Sequence, residues 1–357
     1  MKRKEISLAF LGFLIVSTVA GMASQATAQS QPVLRVAVSI APLAGLVNEV
    51  GGSYIDTYVM LPEGIEPHAA SLSPEALAAA EEADLLVLTG HFSWEEDLLA
   101  VINTPFLTLH DDLALESYED FGARLSDMPG NHGDNGAVIA QHDHEGNPHA
   151  WWLLPGNAIA VANATRSAFS NLNASFSAIW QDNFDGFTED VLAFMELVDS
   201  TDADYSFTQM HAIVVTPAEA YIAEAFGIEV DAVLQVDEVL ISGTELIEVQ
   251  QAIRAGDVSL ILGSDVAKLQ AGGEYAQQLA DDYNLPLVWC RAIFFEELED
   301  YIALMTYNLG SLTSGLEAEG VGAAATTLNL ALLMLAGVLG LVALIEALIL
   351  VQRGRAD

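Results

Sequence analysis

The chain has 357 residues, enough for one large or two medium domains with a sizeable core. Its 50 acidic and 11 basic residues give a formal net charge of −39, which excludes a nucleic-acid binder, because phosphate attraction needs a basic face. A hydrophobic fraction of 52% excludes a disordered acidic chain, and the single Cys290 excludes an intramolecular disulfide framework or a cysteine-rich zinc ribbon.

Residues 1–28 read as a signal peptide. Lys2, Arg3 and Lys4 precede an apolar run, and Ala26-Thr27-Ala28 supplies small residues for cleavage. The exported part then alternates strand and helix. The run 33–40 is a strand, and a helix follows that ends at Gly51-Gly52. Residues 54–61 form the next strand, and Ser73-Pro74 opens a helix with an N-cap serine and proline in the first turn. Strand 84–90, a helix from Ser93 and a short strand from Pro105 complete a first lobe over 29–155. Within that lobe the stretch 111–148 is polar and unpatterned, longer than an ordinary loop.

Residues 156–200 lack proline and read as a linking helix, either continuous or broken near Phe184-Asp185-Gly186. A second alternating unit, 201–312, has strands at 212–215, about 228–236, 259–263 and 286–289. The helices between them include one capped by Thr244. Residues 313–327 are small and flexible, a linker. Residues 328–351 are apolar except for Glu346 and are followed by Arg353 and Arg355, which reads as a transmembrane anchor with its C-terminus in the cytoplasm. The expected fold class is therefore α/β: two (β/α) lobes with largely parallel sheets joined by a long backbone helix, plus one C-terminal transmembrane helix.

The two targeting ends hold five of the basic residues and three of the acidic ones. Segment 29–325 keeps 6 basic and 47 acidic residues, a net charge of −41. At about 1 M salt the Debye length falls to roughly 3 Å and such self-repulsion is screened, so a saline (halophilic) environment is expected.

The chemistry rests on histidine, the commonest side-chain metal ligand. His68 follows a strand, where a ligand facing a cleft belongs. His149 closes a histidine-rich acidic loop, 131–149, that also carries His132, His142 and His144; these three are candidate accessory cation collectors. Glu66 is a candidate for orienting His68, Trp151 and Trp152 read as core, and His91 and His110 read as strand-end caps or solvated residues.

From about 33 to 312 the chain resembles the solute-binding proteins of zinc and manganese ABC transporters, a family of periplasmic-type metal-binding lipoproteins and adhesins. Five segments carry the resemblance: LPEGIEPH with the following SPEAL and EADLLVLTG, the loop ending in NPHAWW, the long helix, VVTPAEAYIAEAFGI, and AIFFEELEDYIALMTYNLGSL. The resemblance places His68 and His149 at the first two ligand positions and Glu296 near the fourth, a carboxylate. At the third, where the family has His or Glu, counting back from Tyr221 gives Thr216, a poor zinc ligand. His211 is the lowest-ranked substitute.

The resemblance implies a non-catalytic extracellular protein tethered to the outer face of the membrane. It would capture Zn²⁺ or Mn²⁺ as transported ligand and pass it to an ABC permease with a separate cytoplasmic ATPase. The rival readings are a relative without a working metal site that serves as an adhesive surface protein or binds another solute, and an exported metallohydrolase. No HExxH motif supports the latter.

Overall fold

The computed structural model describes residues 32–109, 111–129, 146–236, 239–293, 298 and 300–318. The signal peptide, His110, the loop histidines His132, His142 and His144, Glu296 and the apolar segment 328–351 lie outside the described residues. Among the described residues no helix is long and apolar enough to cross a membrane.

Two parallel sheets organise the molecule. The first is built from β1 (Leu34–Val38), β2 (Ile55–Val59), β3 (Leu85–Val87), β4 (Phe106–Thr108) and β5 (Glu116–Ser117), in the order β2-β1-β3-β4-β5. The second half contributes β6 (His211–Val214), β7 (Glu229–Val233), a small antiparallel pair β8 (Gln235–Val236) and β9 (Val239–Leu240), then β10 (Leu260–Ser264) and β11 (Leu287–Cys290). Its main sheet runs β11-β10-β6-β7. Every pairing in the two main sheets is parallel. Strands β3 and β10 are buried at every position, the near-continuous apolar run expected where helices cover both faces.

Between the sheets the chain forms two helices, α4 (Pro155–Leu172) and α5 (Ser177–Tyr205), numbered after α1 (Ala41–Gly51), α2 (Pro74–Glu82) and α3 (Ser93–Leu99). This corrects the expected position of the break. Gly186 lies inside α5, and the interruption is at Asn173, whose side chain accepts from the Ser175 N–H and starts a single 3₁₀ turn over Ala174–Phe176. Helix α1 packs against both α4 and α5. One hydrophobic cluster runs continuously from β1 through these helices to β6, β10, β11 and the last helix, Tyr301–Ala318. A smaller one fills the other face of the second sheet.

The Ser73 N-cap is present, its hydroxyl accepting from the Ala76 N–H at 3.1 Å. The helix over Gly243–Ala255 is capped two residues earlier than expected. Ser242, not Thr244, is the N-cap, in a reciprocal box with Glu245 that satisfies two backbone N–H groups.

Candidate metal site

The segments that follow β2, β3, β6, β10 and β11 line one crevice, at the carboxyl ends of the strands where ligands bind in parallel α/β sheets. Three imidazoles meet there. Beyond β2, His68 sits in a 3₁₀ turn (Pro67–Ala69) pinned from two directions: Glu66 Oε2 accepts from the Ala69 N–H at 2.7 Å, and Trp94 Nε1 donates to the Pro67 carbonyl at 3.2 Å. Glu66 therefore shapes the backbone that carries His68.

His91 follows β3. The preceding Gly90 has φ +76°, and a Cβ there would come within 2.6 Å of Thr108 Oγ1, so the turn into His91 requires glycine. His149 precedes the 3₁₀ turn Trp151–Leu153. Trp151 and Trp152 are core, as expected, and both are anchored: Trp151 Nε1 donates to the Thr89 carbonyl and Trp152 Nε1 to the Ala292 carbonyl.

The three rings are mutually close. Centroids lie 4.8 Å apart for His68–His91, 4.4 Å for His91–His149 and 5.5 Å for His68–His149. One ring nitrogen from each falls within 4.8 Å of the others. The structure thus brings the two expected histidines together and adds His91, which is only 7% exposed and is neither a solvated end nor a cap.

Asn147 fixes which nitrogen His149 presents. Its Nδ2 donates to the Pro217 carbonyl at 2.8 Å, so its Oδ1 is the acceptor facing His149 Nδ1 at 3.0 Å and the His149 N–H at 3.1 Å. Nδ1 therefore carries the proton, and the unprotonated Nε2 is the candidate ligand atom. The Asn147 carbonyl also accepts from the Tyr221 hydroxyl at 2.5 Å. One buried side chain thus ties a candidate ligand to the second half of the chain.

Thr216 faces the same crevice from the end of β6, together with Pro217, Val266, Gln270 and Ile293. The described residues leave a space of about 40 Å³ there, room for an ion with a water but far below an organic-ligand pocket. A larger cavity of about 250 Å³, beside the Arg124–Glu224 ion pair, has no histidine in its wall. His211 begins β6, at the opposite end of the strand from Thr216.

The Thr216 backbone N–H and hydroxyl both donate to Glu219 Oε2, at 2.5 and 2.8 Å. Burial pushes the Glu219 carboxyl up to about 7, against the lowering effect of hydrogen bonds from Ser264 and Thr216. A carboxyl whose folded pKa exceeds its ordinary 4.5 contributes stability that is complete below that value and is lost as pH rises through 7. The rise corresponds to about 3 kcal/mol. Glu219→Gln is therefore expected to gain stability over the wild type between pH 5 and 8, measured as the difference between two urea-unfolding series. Parallel wild-type and variant curves over that range would contradict it.

Fold and geometry together define an α/β protein of two parallel sheets, with three imidazoles converging on a small space lined from both halves of the chain. Residues 36–315 match the family model described as zinc-uptake complex component A, periplasmic, and the chain belongs to that family. A comparison with curated proteins finds no match.

Among solved structures, the chain is similar to a Mn-bound periplasmic metal-binding protein from Candidatus Liberibacter asiaticus. That match has 15% identity and a TM-score of 0.62, and covers 79% of this chain and 99% of that one. It is also similar to a zinc-bound ZnuA deletion mutant, at 18% identity, TM-score 0.61, 81% of this chain and 98% of that one. A third is the solute-binding protein FpvC of P. aeruginosa in complex with Ni²⁺, at 17% identity, TM-score 0.60, 80% and 98%. At these identities the likeness is one of fold.

Proposed function

We propose that the protein is the extracellular solute-binding component of an ABC transporter, capturing Zn²⁺ between its lobes for delivery to a permease driven by a separate cytoplasmic ATPase. The observation that carries this reading is the convergence of His68, His91 and His149 on one ion-sized space. Three neutral nitrogen donors suit Zn²⁺ better than the oxygen-preferring Mn²⁺. Three protein ligands leave a fourth position for water or for Glu296. The family implies delivery rather than turnover. The signal peptide would direct export before its cleavage, and the anchor at 328–351 would hold the binding lobes at the outer face of the membrane.

Calorimetric titration of the full chain tests this reading. Zn²⁺ is expected to bind saturably and more tightly than Mn²⁺, and His68→Ala/His149→Ala is expected to weaken Zn²⁺ binding at least 100-fold. Equal Zn²⁺ affinity in that variant would overturn the assignment.

A further inference from the structure

A second group of ligating atoms lies at the far pole of the second sheet, at the amino ends of β6 and β7. The parallel register sets His211 directly beside Glu229. After Ala212 the register shifts, making Asp231 the extra residue of a β-bulge. Asp231 Oδ1 lies 2.9 Å from His211 Nδ1, and Glu229 Oε2 lies 4.0 Å from Nε2. One ligating atom from each of the three residues falls within 4.8 Å of the others.

We propose that His211, Glu229 and Asp231 form a second binding site for a first-row divalent ion such as Zn²⁺, independent of the interlobe cavity. An imidazole paired with carboxylates suits transition ions, whereas Mg²⁺ and Ca²⁺ take all-oxygen shells. The two ring nitrogens divide the work. Asp231 accepts from Nδ1–H, which turns the Nε2 lone pair towards Glu229, the carboxylate–histidine–metal arrangement that orients a ligand and raises its basicity.

The surroundings favour a cation. Asp257 adds a third negative charge acting on His211. The backbone beneath is fixed, with the Ser259 N–H donating to the His211 carbonyl at 2.8 Å and the Ser259 hydroxyl near the His211 N–H at 3.4 Å. All three side chains are at least partly exposed, so water completes the coordination shell and affinity falls below that of a buried three-histidine site. A bound ion would offset the repulsion between Glu229 and Asp231.

The test removes the interlobe site first. Full-length His68→Ala/His91→Ala/His149→Ala is titrated with Zn²⁺ by calorimetry and with Co²⁺ by visible absorption, before and after adding His211→Ala. The expected result is one further equivalent whose affinity drops at least tenfold on adding His211→Ala. Glu229→Gln should give a smaller loss while keeping the imidazole, with circular dichroism confirming the fold. Identical titrations with and without His211 would overturn the proposal. The interlobe reading is judged separately, by the wild type against the triple variant.

Discussion

Replacing His91 with alanine is expected to weaken Zn²⁺ binding by at least about 100-fold, close to 3 kcal/mol, with little change in the fold. Losing even an outer hydrogen-bond partner of a ligand costs 10–100-fold at metal sites, and a direct nitrogen ligand should cost no less. The competing account is that His91 is a packed core histidine, in contact with Phe92 at a centroid distance of 5.4 Å. The two accounts separate on His91→Gln, which keeps most of the volume and polarity and removes the imidazole. A packing role predicts near wild-type metal affinity for Gln and a loss only for Ala. A ligand role predicts a large loss for both. The fold should tolerate either change, because the loop is held through its backbone: the His91 N–H donates to Glu95 Oε2 at 3.0 Å whatever side chain it carries. Zn²⁺ titrations of both variants, with Tm measured in parallel, decide the matter. Wild-type affinity in both would move the third ligand elsewhere and leave His91 structural.

The contrast between His91 and the other two histidines marks how far the sequence is legible. His68 and His149 stand in distinctive contexts, EPH before a Ser-Pro helix start and NPHAWW after an acidic loop. His91 stands in TGHFSWEE, which reads locally like any strand end. What selects it is strand order: β3 lies directly beside β1, so its carboxyl end opens onto the crevice that also receives the turn after β2. Neighbours in a parallel sheet are not neighbours in sequence, and a single chain gives no direct reading of that order. Thr216 has the same lesson in reverse. Spacing from Tyr221 identifies it as a departure from the family pattern, but only the geometry shows an imidazole from the first lobe occupying the same crevice. The helix break was misplaced for a local reason. An exposed glycine inside a helix costs about 1 kcal/mol, which a 29-residue helix tolerates, whereas Asn173 offers the backbone an alternative bond and ends α4.

Glu95→Ala is expected to be the most destabilising single change near the site, costing about 3–5 kcal/mol and abolishing tight Zn²⁺ binding along with it. The residue is 2% exposed at the third position of α3, and the loop after β3 wraps its carboxylate. Oε1 accepts from the Ser39 hydroxyl and from the Thr89 N–H at 2.8 Å; Oε2 accepts from the N–H groups of Gly90 at 2.9 Å, His91 at 3.0 Å and Phe92 at 3.3 Å; and the Thr89 hydroxyl reaches both oxygens. Burial raises the carboxyl pKa, and this ring of donors works in the opposite direction, favouring the charged form. Alanine would leave the Thr89, Gly90 and Phe92 N–H groups without an acceptor, and the His91 N–H with only Thr89 Oγ1 at 3.2 Å; each orphaned donor carries a desolvation penalty of about 1–3 kcal/mol unless the loop opens to water. Opening the loop is what would displace His91. Glutamine makes the sharper test, since it preserves volume but turns one acceptor oxygen into a donor. In either orientation that amide nitrogen meets a backbone N–H that cannot reverse: Thr89 on one side, or Gly90, His91 and Phe92 on the other. Glu95→Gln should therefore lower both the urea midpoint and Zn²⁺ affinity, whereas His91→Gln should lower affinity alone. If Glu95→Gln keeps wild-type stability and affinity, the carboxylate is not what holds the His91 loop in place.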